Sequence, residues 1–290
     1  MSTQTAPATT TSQTWTWSDL IIACIAREFH GEVIATGATL HSYLAARVAK
    51  ALYESDLAIV GGSLAGFDCA IIVPQVLNDE FVCAHTSPAP IDWMEQWDLI
   101  AADKLRIFLG PAQIDRHGNS NISVLGDWSK PKVQLVGSRG IPDDVVRISE
   151  LYFHVVQHSP RTFVEKVDFV CGLGYGEERK RLGLTTGLPR RVVSDLGVFG
   201  FDADRGHMVI ESLHPGVSLE SCQERTGFEW PPSDGSIPIT QPPSEDEMHC
   251  IKALDPCGVR FLGTDDAPPD LLERIAAAEH ELIHEARTTL

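Results

Sequence analysis

The sequence predicts an α/β fold, a mainly parallel open sheet flanked by helices, with an antiparallel section toward the C-terminus. Three observations predict it. Short apolar, β-prone runs alternate with segments of helical periodicity; several of those runs stop on a glycine; and after residue 190 the runs follow one another with no helical segment between them. Alternating strands and helices indicate βαβ crossovers, which put the ligand face outside the carboxyl ends of the strands. Successive strands joined without a crossover helix read as an antiparallel meander.

From Ser18 onward Leu20, Ile21, Cys24, Ile25 and Phe29 recur at helical spacing, and Gly31 ends the segment. "EVIATG" is a short strand, "TLHSYLAARVAKAL" a second helix, and "DLAIVGG" an apolar strand. "FVCAH" and "KLRIFL" repeat the strand pattern, the latter after a helix over "IDWMEQWDLIAAD". "KVQLVGS", "RTFVEKVDFVCG", "RRVVSDLGVFGF" and "HMVIESLHP" supply further strands, the last two forming the meander. Residues 230–247, "WPPSDGSIPITQPPSEDE", are proline-rich and read as an extended strap over the surface. "EDEMHCIKAL" is a short helix. The expected organisation is a disordered tail over 1–17, an α/β domain over 18–262 and an acidic C-terminal helix over 263–290.

A chain of 290 residues, 43% hydrophobic, can bury one large core. Its 23 lysines and arginines face 40 acidic residues, a formal charge of −17, which disfavours nucleic acid and anionic membrane as partners. No apolar run approaches the roughly 18–20 residues that span a bilayer. The N-terminus, "MSTQTAPATTTSQTWTW", has neither a basic flank nor an apolar signal core, so a cytoplasmic location is expected. The seven cysteines, at 24, 69, 83, 171, 222, 250 and 257, form no CxxC pair and read as reduced thiols without a metal site.

Two loops carry the candidate chemistry. In "LRIFLGPAQIDRHGNSNIS", residues 105–123, an apolar strand gives way to Gln113, Asp115, Arg116, His117, Asn119, Asn121 and Ser123 against Gly110 and Gly118. A loop that only reverses direction needs two or three such residues. Gln113 offers two donors and a carbonyl, which suits a thioester or ketone oxygen; Asp115 is a second candidate for substrate contact, and Asp115 and Asn119 can also anchor the turn on backbone amides. The competing reading is that all of them only stiffen the loop. In "VGSRGIPDDV", Gly137 and Gly140 flank Arg139. Glycines let backbone amides approach a ligand as an oxyanion hole. Arg139 can meet a phosphate or carboxylate bidentately, or pair with Asp143 or Asp144 on the surface.

Together with "FVEKVDFVCGLGY", "RRVVSDLGVFGF" and "ESLHPGV", these loops resemble the β subunit of family I coenzyme A transferases over roughly residues 18–260. The resemblance is strongest to the branch that opens steroid rings hydrolytically as CoA thioesters. It implies the NagB-like α/β fold of that family, a homologous α subunit in an α2β2 heterotetramer, and an active site between the two chains. CoA arrives as part of an acyl-CoA substrate, and no separate cofactor is implied. The glycine loop that the family places at the substrate site stands here as Gly110, Ala112, Gln113, Ile114 and Asp115. The nucleophilic glutamate of the transferases falls on Gly61, with Gly62 and Ser63 after it. Covalent transfer therefore lacks its carboxylate. Ser63 has no histidine nearby in sequence to serve as base. A glycine turn that makes room for a bulky substrate fits better. The branch implies retro-Claisen cleavage of an alicyclic β-keto acyl-CoA, which needs oxyanion donors and a general base, the base coming from the α subunit. Alternatives are CoA transfer between carboxylic acids, glutaconyl-type decarboxylation and a non-catalytic partner subunit.

Other signals are set aside. "HELIH" at 280–284 has zinc-protease spacing but no third ligand downstream, and "HVVQH" at 154–158 lacks an acidic member. "GLGYG" is followed by "EERKR" rather than by a dinucleotide-binding helix start. "EERKR" itself reads as a solvated face, the alternative being that Arg179, Lys180 and Arg181 reach CoA's phosphates; Trp128 reads as core packing, the alternative being the lining of an apolar substrate cavity.

Overall fold

The computed structural model describes residues 14–31, 33–35, 39–60, 66–68, 87–231 and 235–288. Helix α1 (Trp17–Glu28) leads to β1 (Val33–Ala35), α2 (Leu40–Leu52) and β2 (Ala58–Val60). Then come β3 (Gly66–Phe67), β4 (Ala89–Pro90), α3 (Trp93–Ala101) and β5 (Ile107–Leu109). The polar loop folds into β6 (Gln113–Asp115), β7 (Ser120–Asn121), β8 (Val124–Leu125) and β9 (Val133–Gln134). The chain continues through α4 (Ile141–Arg147), β10 (Glu150–Val155), β11 (Phe163–Val164) and α5 (Glu177–Leu182). Strands β12 (Leu188–Ser194), β13 (Gly197–Asp202) and β14 (His207–Leu213) precede α6 (Leu219–Glu224) and α7 (Glu245–Leu254). A 3-10 turn (Val259–Phe261) and α8 (Leu271–Thr288) end the described chain.

The main sheet has the order β14-β13-β12-β10-β5, with β5, β10 and β12 parallel and β12–β13–β14 antiparallel. A second sheet, β1-β2-β3-β4, begins with a parallel pair, and its β1 lies against β5. From that seam the chain runs outward in both directions, to β2 on one side and to β10 and β12 on the other. A seam of this kind is a topological switch point, where a crevice opens outside the strand ends.

Strand β10 alternates across the sheet. Tyr152 joins the cluster of α1 and α2 on one face, with Phe108 and Val193. Leu151, Phe153 and Val155 join Ile141, Val145 and Phe199 on the other. Both faces are covered, as a parallel sheet requires. Helix α1 starts at a capping box, Thr16 with Asp19, and Trp17 stacks on His214 with centroids 5.9 Å apart. Residues 14–17 of the expected tail are thus placed against the domain. Helix α7 also opens on a capping box, Ser244 with Glu247, and buried Glu247 accepts from Arg27 on α1 at 2.7 Å. Arg260 bridges Asp19 (2.8 Å) and Asp255 (2.9 Å) in the interior, fixing the C-terminal segment to α1. Val259, Leu271 and Ile275 then pack on Leu40, so the C-terminal helix rests on the first turn of α2.

Several sequence expectations need correction. "KVQLVGS" is extended only at Val133–Gln134, in a hairpin with β8 outside the main sheet, and its Val133 and Val136 stay exposed with nothing to bury. "RTFVEKVDFVCG" is a strand only at Phe163–Val164; beyond it the amides of Asp168, Cys171 and Gly172 bond the 113–121 loop instead of a ladder. Strand β10 and helix α4 lie where the sequence reading placed neither. The strap does add to an edge: the Leu213 amide donates to the Pro238 carbonyl (3.0 Å) and the Thr240 amide to that of Leu213 (2.8 Å). "FVCAH", Gly61, Gly62 and Ser63 lie outside the described residues. Among the described residues no helix is long and apolar enough to cross a membrane.

Candidate active site

The polar loop leaves β5 at Gly110 and is built as a two-layer clamp. Gln113 is buried. Its carbonyl accepts from Asn121 Nδ2 (2.8 Å) and from the Asp168 amide (3.0 Å), and its Nε2 donates to Asp168 Oδ2 (3.0 Å). Both lone pairs and one N–H are thereby used, leaving a single N–H for a ligand. Asp115 Oδ1 accepts from the amides of His117 (3.0 Å) and Asn119 (3.1 Å), and Oδ2 from Asn119 Nδ2 (2.9 Å). Burial raises the Asp115 pKa while these bonds oppose the shift. Asp115, a candidate substrate contact in the sequence, thus spends both carboxylate oxygens within its own turn, with Asn119.

The second layer comes from 168–175. The Gly174 amide donates to Asn119 Oδ1 (2.8 Å) and the Tyr175 amide to the His117 carbonyl (2.8 Å), while Ser120 and Gly172 form a bridge. A Cβ on Gly174 would stand 2.0 Å from the His117 carbonyl oxygen, so only glycine lets the layers close. Arg179 locks the far side. Its buried guanidinium donates to the carbonyls of Gly174 (2.8 Å), Leu173 (2.5 Å) and Gly187 (2.9 Å). The "EERKR" run is thus solvated except for this inward arginine, while Lys180 and Arg181 pair with Glu177 and Glu178 on the surface. Asp168 and Gly174 carry no local signal of their own, and only the resemblance around "VDFVCGLGY" points at that segment; Arg179, a set-aside candidate for CoA's phosphates, instead points inward.

The residues that flank the glycine turn reach this clamp. The Leu135 amide (2.9 Å) and Gln134 Nε2 (3.1 Å) donate to the Ser123 carbonyl, and the Ser123 amide donates to Asn121 Oδ1 (2.9 Å). From the other side Ile141 packs on Gly172. Gly137 has φ +87 and Arg139 φ +52, and Gly140 caps α4 without a side-chain bond. Arg139 is exposed and, among the described residues, makes no ion pair; it does not pair with Asp143 or Asp144. Asp144 is buried beside Gly140 and Trp97, and burial together with the Asp143 charge pushes its pKa up to about 7. Trp128 is 60% exposed, stacked on Phe169 at 4.6 Å, and so is not core packing.

The two histidines of "HVVQH" do not form a ligand pair. His154 and His158 stand on and after a strand rather than on one helical turn. His158 bonds Ser194 and Thr226, both at 3.0 Å, and is neutral through burial. No group of metal-ligating side chains occurs among the described residues. Gln113 thus keeps one carboxamide N–H, and Arg139 keeps an unpaired guanidinium in the glycine turn; groups of these kinds can donate to an anion or a polarised carbonyl.

The chain is similar to known proteins over most of this framework. The cholesterol ring-cleaving hydrolase IpdB subunit of Rhodococcus jostii is 32% identical over 236 residues, 79% of this chain and 88% of that protein. A 3-oxoadipate CoA-transferase subunit of Pseudomonas knackmussii is 38% identical over 151 residues, 51% of this chain; the match spans 57% of that protein, a little over half its length. The crystal structure of Rhodococcus jostii IpdAB superposes with a TM-score of 0.74 at 29% identity, covering 87% of this chain and all of that one. Residues 19–224 match the family described as coenzyme A transferase, and the chain belongs to that family.

Proposed function

We propose that the chain is the β subunit of a two-subunit acyl-CoA enzyme that opens an alicyclic β-keto acyl-CoA by hydrolytic carbon–carbon cleavage, a steroid-degradation intermediate being the representative substrate. The observation that carries the reading is Gly61. The position that family resemblance gives to the transferase nucleophile has no carboxylate, while the donor loops are retained. Retro-Claisen cleavage needs donors and a base but no covalent carrier. Likeness to a ring-cleaving hydrolase subunit over most of its length supports the same reaction.

Gln113 and the Gly137–Gly140 turn stabilise the oxygen on which charge develops. Arg139 binds an anionic part of the substrate, a CoA phosphate or a carboxylate. Asp115, Asn119, Gly110, Gly61 and Gly62 shape the loops. The general base comes from the homologous α subunit in a cytoplasmic α2β2 heterotetramer, and no cofactor beyond substrate-borne CoA takes part. CoA transfer is the second reading, supported by the likeness to an oxoadipate transferase subunit.

The test is reconstitution with the α chain and incubation with a cyclic β-keto acyl-CoA. Ring opening with uptake of one water is the expected outcome. An enzyme–CoA thioester trapped by hydroxylamine or borohydride would establish transfer instead, and carbon dioxide release would establish decarboxylation.

A further inference from the structure

The switch-point seam holds a polar group that the site above does not use. His154 follows Phe153, which pairs with Leu109, so it stands beside Gly110 where β10 and β5 reach their carboxyl ends. It is 1% exposed, under the start of α2. Its Nδ1 lies 3.3 Å from the hydroxyl of Thr39, the N-cap of that helix. The Ser42 hydroxyl donates to the Thr39 carbonyl (2.9 Å), and the Thr39 hydroxyl donates to Ser42 Oγ (2.8 Å). The Thr39 oxygen can therefore only accept from the ring, and the hydrogen-bond network assigns the proton to Nδ1. Nε2 is left as a lone pair, buried and without a partner among the described residues. Burial, with the His41 ring tilted against it at 5.0 Å, keeps the ring neutral.

A buried acceptor without a donor is rare in folded proteins. Beside it, α2 brings the opposite polarity. This helix has 13 residues, and the amides of Leu40 and His41 in its first turn have no partner among the described residues. A ligand at this point must donate to Nε2 and accept from amides, and the helix terminus favours negative charge on it. Water is the smallest molecule that does both, and a polar pocket with several such groups retains it.

We propose that His154 Nε2 and the first turn of α2 bind one water molecule, and that this water adds to the ketone of the substrate. The second half rests on the hydrolytic reading given above. The water oxygen bonds to the ketone carbon. The bond from that carbon to the α-carbon of the thioester breaks, and its electron pair goes to the α-carbon. One water proton ends on the α-carbon and the other leaves with the new carboxylic acid, so one water is consumed per ring. His154 orients the water without having to keep its proton. Gly110 lies against Thr39, since a Cβ there would stand 3.3 Å from Thr39 Cγ2, and three residues on the chain reaches Gln113.

The test uses the assembled two-subunit enzyme. Crystals of the wild type should show a solvent peak within hydrogen-bond distance of Nε2. His154→Phe should lose that peak and about 100-fold in ring-opening rate, the scale of a positioned proton-handling group. Its affinity for a non-reactive thioether analogue of the substrate should change less than about twofold, the change expected when no ligand contact is lost. His154→Gln, which keeps an acceptor, should recover to within about tenfold of wild type and retain the peak. Nε2 bonded to a side chain of the α subunit, or a His154→Phe enzyme of wild-type rate, overturns the proposal. Solvent density on Nε2 reads the pocket by itself, so a wild type that holds this water yet opens no ring sinks the hydrolytic reading and the water's role as nucleophile while leaving the pocket. If His154→Phe does not assemble, the peak and the glutamine variant decide.

Discussion

Gln113 and Asp168 hold each other by two hydrogen bonds of opposite direction. Gln113 Nε2 donates to Asp168 Oδ2 at 3.0 Å, and the Asp168 amide donates to Gln113 Oε1 at 3.0 Å. The same Oδ2 also accepts from the Gly126 amide at 2.9 Å, so one carboxylate fixes both the strand-end glutamine and the start of the β8–β9 hairpin. Asp168→Ala removes two of these bonds and leaves the carboxamide held through its carbonyl alone. Stability should fall by about 0.5–1.5 kcal/mol, the net worth of hydrogen bonds in a partly solvated setting. Turnover should fall further than affinity for an unreactive substrate analogue, because the remaining Gln113 N–H loses its aim. Urea unfolding and steady-state kinetics on the assembled enzyme check the two parts. Equal losses in Gln113→Ala and Asp168→Ala would mark them as one unit.

The Arg260 cluster carries a second prediction. Arg260 pairs with Asp19 and Asp255, all three nearly sealed from solvent, and its carbonyl takes a hydrogen bond from His41. Removing one member of a buried ion group leaves uncompensated charge and costs about 3–5 kcal/mol. Arg260→Ala should therefore destabilise strongly, whereas Arg260→Met with Asp19→Asn and Asp255→Asn should recover much of the loss. The midpoint of denaturant unfolding measures both. Since Val259, next to Arg260, packs with Leu271 and Ile275 of α8 on Leu40 in the first turn of α2, loss of α8 should also loosen the Thr39–His154 contact, visible as faster amide exchange at Ser42 and Tyr43.

Helices α1, α2, α3 and α7 are legible in the sequence because their apolar positions recur at helical spacing behind capping residues such as Thr16, Thr39, Asp92 and Ser244. The β12–β14 meander is legible for a similar reason: tight turns at Asp195 and Gly206 separate strong strand formers. Strand β10 is not, because "ELYFHV" is buried on both faces and a short continuous apolar run has no diagnostic period. Helix α4 opens on Gly140 with no side-chain cap and runs only seven residues, so its start signals, Pro142 with Asp143 and Asp144, read equally as part of a loop. At the site, the turn chemistry of Asp115 and Asn119 is local and could be read directly. The partners of Gln113 and His154 lie 55 and 115 residues away, and only the folded topology brings them together. Arg179 was hidden by its neighbours: four exposed charges surround one that points inward.

Asp144 makes stability depend on pH in an unusual direction. Its folded carboxyl titrates at about 7, raised from 3.8 by burial and by Asp143. Between those values the folded state holds a proton that the unfolded chain has released, so unfolding stability falls as pH rises and levels off above the folded value. Asp144→Asn removes the titration. The variant should match wild type near the low end of this window and exceed it by up to a few kcal/mol above the high end, from the size of the shift. Chemical denaturation across this range checks the sign; a wild type that gains on the variant as pH rises would refute it.

Arg139 sets stability against function. Its φ of +52 lies in the left-handed region, where a Cβ is disfavoured by about 1–2 kcal/mol, and no side-chain bond offsets this in the isolated chain. Backbone strain that persists without local compensation is common where a side chain must meet a ligand. Arg139→Gly relaxes the turn, and the added entropy of the unfolded glycine returns part of the gain, leaving a net stabilisation of about 0.5–1 kcal/mol. The same change removes the one cation at the glycine turn of a chain with formal charge −17. Affinity for an acyl-CoA should weaken by about tenfold or more, the loss of a charge-assisted bond of roughly 1.5–3 kcal/mol. The remaining affinity should respond less to added salt. A more stable, weaker-binding Arg139→Gly with a flattened salt dependence is the expected result in thermal melts and titration calorimetry. Destabilisation with unchanged affinity would instead make Arg139 a structural residue of the turn, and the anion site would have to be sought on the α subunit.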